Sequence, residues 1–354
     1  MPVTIVHVLG TLDRGGAETV TLDLCRRIPA TEVRQRVLLL GEHEGSLAGQ
    51  FRGAGVEIER CPLRPWPTFL PRLWHRLRAD PPDVVTSHVS LFSGPVLAIA
   101  AAAGVANRIA RLHSEGDGRP STRVRRLYRA ALRAVLRRSA TAVLGVTTAT
   151  LAFACPPPGD PRYRVVPNGV DTERFRLISH RPPEPVLVHI GRAAPEKNRN
   201  FAVRIHRAAR RIEPRTRLVL AGPGGTHDLE PLALRDPAIA VTGEVDRVEE
   251  VLAKASVLVL PSHREGLPGV VLEALASGVP VLATDLPGLR EVARRLPGLT
   301  VLPLGAGPDQ WARTALLLAT SSPVERRVIS EAVRSSAYAA EECAQVWRQL
   351  WTSR

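Results

Sequence analysis

The sequence predicts an α/β protein of two domains, each a parallel, doubly wound sheet with helices on both faces. Three observations lead there. The chain has 354 residues and a mass of 38.4 kDa, room for two domains of roughly 150–200 residues rather than one. Short apolar, β-branched runs alternate with amphipathic stretches along its length, the rhythm of parallel strands joined by covering helices. That rhythm comes as two series, parted by proline-rich breaks.

In chain order, the first series places strands at Val3–Leu9, Arg36–Leu40, Val84–Ser87, Arg108–Leu112 and Ala142–Val146. Each is a short apolar run of the kind that a strand buried on both faces requires. The second series places strands at Val186–Ile190, Arg217–Ala221, Ala238–Thr242, Ser256–Leu260, Val279–Ala283 and Thr300–Pro303. Ala17–Ile28, Arg199–Ile212 and Val270–Ala276 carry a helical period between strands. Pro95–Ala106 falls short of the ~18 apolar residues of a membrane span and reads as a buried helix.

Cys155-Pro156-Pro157-Pro158-Gly159-Asp160-Pro161 cannot continue a helix, and Arg181-Pro182-Pro183-Glu184-Pro185 is a second stiff connector. The chain accordingly divides into domains 1–165 and 166–330, with a C-terminal segment 331–354. The tail Val324–Arg354 is amphipathic and carries Trp347, Leu350 and Trp351 on one face. Coming after the second sheet is complete, it is expected to pack back on the first domain.

Composition narrows the class. With 44% apolar and 23% charged residues the protein is expected to be soluble and globular. Met1-Pro2 runs directly into the first strand, without the basic region or cleavage site of a signal peptide. Cys25, Cys61, Cys155 and Cys343 lie far apart with no C-x-x-C pair. That spacing argues against a disulfide scaffold or zinc ribbon and favours a reduced, cytoplasmic setting. The formal net charge is +14, and all basic residues but Lys197 and Lys254 are arginine. A GC-rich genome produces such a bias, yet the excess also suits an anionic partner. Aromatics are only 4% and are not interleaved with basic residues, which argues against nucleic acid.

Doubly wound sheets bind ligands at the carboxyl ends of their strands, so the loops there hold the candidate chemistry. The strongest signal is Glu265-Gly266-Leu267-Pro268-Gly269-Val270-Val271-Leu272-Glu273, following Val257–Pro261 and opening a helix. Its glycines let backbone approach a ligand, and the helix terminus offers free N–H groups to an anion. Glu265 and Glu273 repel phosphate, so they should contact hydroxyls beside it. A pyrophosphate between two polyols, ribose and hexose, fits that pattern. The second signal is Gly191-Arg192-Ala193-Ala194-Pro195-Glu196-Lys197-Asn198, directly after Val186–Ile190. Arg192 and Lys197 would balance the charge that develops as a sugar–phosphate bond breaks.

On these residues the sequence resembles the large family 4 of retaining GT-B glycosyltransferases (glycosyl transferases group 1), nearly end to end. The likeness rests on Gly15-Gly16-Ala17-Glu18, on Val166-Pro167-Asn168-Gly169-Val170-Asp171 with Phe175, and on the Arg192…Lys197 loop. It continues through the E-x7-E element Glu265…Glu273 and Gly278-Val279-Pro280-Val281…Gly288…Glu291-Val292. The resemblance implies two Rossmann-like domains facing a cleft, an acceptor-binding N-terminal one and a nucleotide-sugar-binding C-terminal one. It implies that Gly15 and Gly16 present backbone to the donor diphosphate, which Arg192 and Lys197 neutralise. Glu265, with Gly266, Leu267 and Pro268, would meet the transferred hexose, Glu273 the ribose, and Gly243 and Val245 the base. His113 resembles the family's active-site histidine. The implied catalytic set is His113, Glu265, Arg192 and Lys197. The implied donor is a nucleotide sugar, UDP by the family's habit, carrying a hexose or N-acetylhexosamine to an acceptor hydroxyl with retention. Ala193-Ala194 departs from the family, which more often has a larger residue after the loop arginine.

No D-x-D occurs in the chain, so neither a metal nor another cofactor is expected. His88 and His113 each follow an N-terminal strand, and with Glu115 they are candidates for the acceptor side. Glu115 and Asp117 would suit an acceptor bearing amines, such as an aminocyclitol, or would cap the next helix; a glycan intermediate is the other acceptor class. His7, in mid-strand, reads as core. From Gly118 to Gly159 there are eight arginines and no acidic residue. The basic helix spanning residues 119–138 either covers the sheet or lies on an anionic membrane, which would make the protein peripheral at the inner membrane face. A nucleotide-sugar epimerase and a non-catalytic basic membrane-surface or nucleic-acid protein are the competing readings. A dehydrogenase is disfavoured, because Gly10-Thr11-Leu12-Asp13-Arg14-Gly15-Gly16 lacks the G-x-G-x-x-G spacing, and no Walker A motif is present.

Overall fold

The structure, a computed structural model, describes residues 2–180 and 182–352. Arg181 of the expected connector lies outside them, as do Met1, Ser353 and Arg354. The chain forms two units, one of Met1–Gly169 with Ala340–Arg354, the other of Val170–Ala339.

The first unit holds a seven-stranded sheet. Its strands are β1 (Val3–Leu9), β2 (Val33–Leu39), β3 (Glu57–Arg60), β4 (Val84–Ser87), β5 (Asn107–Leu112), β6 (Ala142–Gly145) and β7 (Tyr163–Val165). They lie in the order β3-β2-β1-β4-β5-β6-β7, all parallel. The second unit's sheet contains β8 (Val186–Ile190), β9 (Arg217–Ala221), β10 (Ile239–Gly243), β11 (Val257–Leu260), β12 (Val281–Thr284) and β13 (Leu299–Leu302). Its order is β10-β9-β8-β11-β12-β13, again all parallel. Strand order reverses between β1 and β4 in one sheet and between β8 and β11 in the other. Those two switch points are where loops diverge and leave room for a ligand.

The longer helices are α1 (Gly16–Arg27), α2 (Trp66–Ala79), α3 (Ser93–Ala102), α4 (Arg123–Ser139), α5 (Arg199–Ile212), α6 (Gly269–Ala276), α7 (Gly307–Leu318), α8 (Pro323–Arg334) and α9 (Ala340–Thr352). In the first unit, α2 and α3 bury Phe69, Leu73, Val96 and Leu97 against Val85 and Ala110 of the sheet. In the second, α5 and α7 bury Phe201, Ile205 and Trp311 against Leu218, Leu220 and Val259.

The expected tail divides. Its first half, α8, starts at a capping box on Ser322 and Glu325. It stays with the second unit, where the buried Arg326 guanidinium donates to the Ala255 and Ser256 carbonyls at 3.3 and 3.1 Å. Only α9 joins the first unit. There Trp347 and Trp351 are buried among Ile5, Leu24, Ile28, Val33 and Val84. The division between units falls after Gly169 rather than at 165, because Arg111 of β5 donates to the Pro167 carbonyl and the Asn168 amide oxygen at 3.1 and 3.0 Å. Those bonds hold residues 167 and 168 to the first sheet.

On α4, Leu136 is fully buried, and Leu132 packs on the same core. The apolar stripe does not cover the sheet throughout. Val124, Leu127 and Tyr128, at its amino-terminal end, are 77%, 73% and 43% exposed. Among the described residues no helix is long and apolar enough to cross a membrane.

Candidate active site

In the second unit, β8 and β11 end side by side at the switch point, and each feeds a candidate loop. The β8 loop turns at Pro195–Lys197 and ends on Asn198, whose backbone is left-handed at φ 53. Asn198 Nδ2 donates to the Pro261 carbonyl at 3.1 Å, and the His263 N–H donates to the Glu196 carbonyl at 2.8 Å. These two bonds bind the β8 loop to the β11 loop. Across them Lys197 Nζ meets Glu265 Oε1 at 2.7 Å. The side chains retain only 17% and 9% of their exposure, so the pair is screened little by water. Gly191 lies beneath it, where a Cβ would stand 3.2 Å from Lys197 Cδ and press on the lysine stem.

Beyond Glu265, the Gly266-Leu267-Pro268 turn is buried and leads into α6, which starts at Gly269 with no side-chain cap. The Val271 N–H turns back to the Pro268 carbonyl at 3.1 Å, and the helix start ahead of it is where an anion would bind. Glu273 lies one turn in, its Oε1 3.6 Å from where a Cβ on Gly269 would be. Both carboxylates and the lysine therefore border one helix terminus.

Arg192 is placed differently from the expected clamp. Its side chain is 61% exposed and pairs with Glu196 at 2.7 Å, so in this arrangement the two cations each face a separate carboxylate. The alanine after it has a packing reason. Ala193 N–H donates to the Pro223 carbonyl at 2.7 Å. A Cβ on Gly224, which sits at φ +107, would be 3.0 Å from the Ala193 Cβ. Gly243 ends β10 at φ +70 with open space beside it, and its carbonyl accepts the Gly222 N–H at 2.7 Å. Val245 lines a cavity of about 620 Å³ with Thr242, Ala240 and Lys254 along the sheet face. Arg192, Lys197, Glu265 and Glu273 do not line that cavity.

In the first unit, Gly15 and Gly16 open α1 directly after β1. A Cβ on Gly15 would meet the movable end of the Glu18 side chain, while Gly16 has open space. His88 follows β4 and His113 follows β5. They are hydrogen-bonded to each other, His88 Nδ1 to His113 Nε2 at 3.0 Å, with ring centroids 5.3 Å apart. His88 also meets His7 of β1, at 3.2 Å. His88 is thus a hydrogen-bond partner of His113, and His7, fully buried as a core residue, joins the same file. Sequence reading missed His7 and Gln35; the available signal was a histidine on a central strand whose neighbours are all aliphatic.

Asp117 does not offer a free carboxylate. The Arg129 guanidinium, with that of Arg125, holds its carboxyl well below the usual carboxylate range, at 2.5 and 2.6 Å. The cap of α4 is Thr122, whose hydroxyl accepts the Arg125 N–H at 3.2 Å. Glu115 is half-buried in the same loop. Among the described residues, no group of three or more His, Cys, Asp or Glu side chains is arranged to hold a metal ion.

Comparison with known proteins finds a family match in each unit. Residues 15–169 match the family model described as Glycosyl transferase 4-like domain, and residues 184–321 match Glycosyl transferases group 1. EpsF of Bacillus subtilis (strain 168), described as a glycosyltransferase, is 26% identical over 96% of this chain and 93% of its own. The capsular polysaccharide biosynthesis glycosyltransferase CapH of Staphylococcus aureus is 22% identical over 88% of this chain and 89% of its own. Among solved structures, Anabaena HepE in complex with UDP-glucose superposes with a TM-score of 0.81 at 16% identity, covering 99% of this chain and 100% of that one. The chain belongs to the GT-B glycosyltransferases, with two Rossmann-like domains.

Proposed function

We propose that the protein is a retaining, metal-independent transferase that moves a hexose or N-acetylhexosamine from a UDP-sugar to an acceptor hydroxyl. The observation that carries this reading is the Lys197–Glu265 pair across the β8/β11 switch point, beside the uncapped start of α6 and Glu273. A helix terminus and a lysine suit a diphosphate, and carboxylates beside them suit the hydroxyls of the sugars on either side. The UDP-glucose complex of HepE supports UDP as the nucleotide. The epimerase and non-catalytic readings gain no support from the family to which the chain belongs.

In the proposed reaction the bond from the anomeric carbon to the leaving phosphate breaks while that carbon bonds to the acceptor oxygen on the same face. The hydroxyl proton passes to the departing phosphate oxygen. Lys197 and the α6 N–H groups stabilise the charge arriving there, joined by Arg192 once it turns from Glu196 to the phosphate; Glu265 accepts from hexose hydroxyls, and Glu273 holds the ribose. With Asp117 bound by two arginines, the aminocyclitol reading loses one of its carboxylates. A glycan intermediate is the acceptor class we favour, in keeping with the capsular polysaccharide described for CapH. The test is release of UDP from a panel of UDP-sugars, followed by NMR of the anomeric proton in the product. Activity should survive EDTA unchanged. A loss that magnesium or manganese restores, or a product of inverted configuration, overturns the corresponding part of the reading.

The exposed end of α4 supports a second partner, an anionic membrane surface. Val124, Leu127 and Tyr128 stand out from a helix whose other faces carry Arg123, Arg126 and Arg133, the arrangement of an interfacial helix. The protein should sediment with phosphatidylglycerol vesicles and not with phosphatidylcholine ones. Leu127→Glu should weaken that binding by about tenfold or more, the worth of one buried leucine. Equal sedimentation with both lipids, or an unaffected variant, removes the membrane from the account.

A further inference from the structure

Gln35, His7, His88 and His113 form one file through the first unit. His7 Nε2 lies 3.1 Å from Gln35 Oε1, His7 Nδ1 lies 3.2 Å from His88 Nε2, and His88 Nδ1 lies 3.0 Å from His113 Nε2. The file crosses the switch point, from β2 through β1 to the ends of β4 and β5. Its inner end is pinned. Gln35 Nε2 donates to the Ile28 carbonyl at 3.4 Å, and Gln35 Oε1 also accepts from Cys25 Sγ at 3.2 Å. The amide oxygen is thereby the atom that faces His7. Trp351 of α9 backs the file, edge-on to His7 with centroids 5.5 Å apart, and donates its N–H to Thr86 Oγ1 at 3.3 Å.

Burial favours the neutral form of all three rings. Burial holds His7 down to about 4 and His113 down to about 3, and it pushes His88 well below its ordinary value. The Arg111 cation, bound to a carbonyl and an amide, adds to the effect on His113 and His88. A neutral imidazole has one N–H and one lone pair, so the amide oxygen sets the direction of the whole file. His7 Nε2–H donates to Gln35, His88 Nε2–H donates to His7, and His113 Nε2–H donates to His88. The lone pair on His113 Nδ1 remains. That nitrogen is buried and has no hydrogen-bond partner among the described residues.

We propose that Gln35, acting through His7 and His88, fixes His113 in the Nε2–H form, so that His113 presents Nδ1 as an acceptor for a carbohydrate hydroxyl. A phosphate or carboxylate oxygen has no proton to give this nitrogen, so the file selects a hydroxyl there over an anionic group. The ligand class rests on the glycosyltransferase reading, whereas the tautomer is a property of the free protein. Gln35, His7 and His88 are positioning residues.

Long-range ¹H–¹⁵N NMR of the ¹⁵N-labelled full chain reads the tautomers directly. Three neutral Nε2–H histidines are expected for the file at pH 7, protonating only well below 6.5. Gln35→Met removes the directing oxygen, and His7→Phe cuts the file one step later. Each should release His113 into a tautomer mixture. Each should lower kcat for UDP release from UDP-glucose by about tenfold, the usual cost of losing the partner that orients a functional histidine, with KM changed less than about twofold. Nδ1–H at His113 in the wild-type protein, or an unchanged His113 tautomer in either folded variant, overturns the proposal. Should neither variant fold, the wild-type spectrum alone decides it. If the wild type releases no UDP from any UDP-sugar, the functional reading fails, and the NMR pattern still decides the file.

Discussion

Lys197→Ala is expected to lower kcat/KM for UDP-sugars by about 10²- to 10³-fold, the cost of removing one preorganised group from a developing charge. Lys197 is one of only two lysines in an arginine-rich chain. Its ammonium joins the β8 loop to the β11 loop through Glu265. Removing it leaves Glu265, whose side chain is 9% exposed, without a cation, so ordering of the 261–268 turn should suffer as well. Glu273→Ala should cost as much through a different route, by losing the ribose contact from α6. In both variants circular dichroism should match the wild type, while calorimetry should show weakened UDP binding. Near-normal turnover in either purified variant sinks the donor-site assignment.

His113→Ala is the second large effect. On the reading above, its imidazole contacts a hydroxyl near the reacting carbon, so turnover should fall much more than donor affinity. Contacts realised mainly in the transition state affect kcat most. The 3.0 Å bond between the rings ties His88 to the same effect. His88→Ala should reproduce the direction of the His113→Ala defect at smaller size, with donor binding again preserved. Steady-state kinetics and calorimetry on both variants make the comparison. Full turnover in His113→Ala, or activity lost only through unfolding, makes the residue structural.

Central strands were legible, and so were the edges of the second sheet, Ile239–Gly243 and Leu299–Leu302; the edges of the first sheet were not. Val84–Ser87, Val186–Ile190 and Arg217–Ala221 form where an apolar run predicts them, because a strand covered on both faces has little choice of composition. Glu57–Arg60 and Tyr163–Val165 escaped notice for the converse reason. Each lies at an edge of its sheet, half-covered, with charged residues in the run. In the site, the motif residues on the β8 and β11 loops were readable as types and spacings. Their pairings were not. Lys197 with Glu265 joins positions 68 apart in sequence, and the other cation turns instead to Glu196. The histidine file was still less accessible, since His7 sits in mid-strand among aliphatic neighbours and Gln35 lies between two arginines, Arg34 and Arg36. Only the parallel register that aligns Ile5 with Gln35 on β2 and His7 with Thr86 on β4 brings those strands together.

The return of the chain at Ala340 has a consequence for how the molecule is made. Gly169, the last residue of the first stretch, packs so closely on the returning segment that a Cβ there would stand 2.7 Å from the Ala340 Cα. The N-terminal unit is thus discontinuous in sequence, with the whole of Val170–Ala339 inserted into it. During synthesis, Ile5, Leu24, Val33 and Val84 emerge from the ribosome without Trp347 and Trp351, which complete their core. The inserted unit is one continuous stretch and has all its partners earlier. Domains ordinarily fold in the order in which they are translated; here the half encoded first is the half that is finished last.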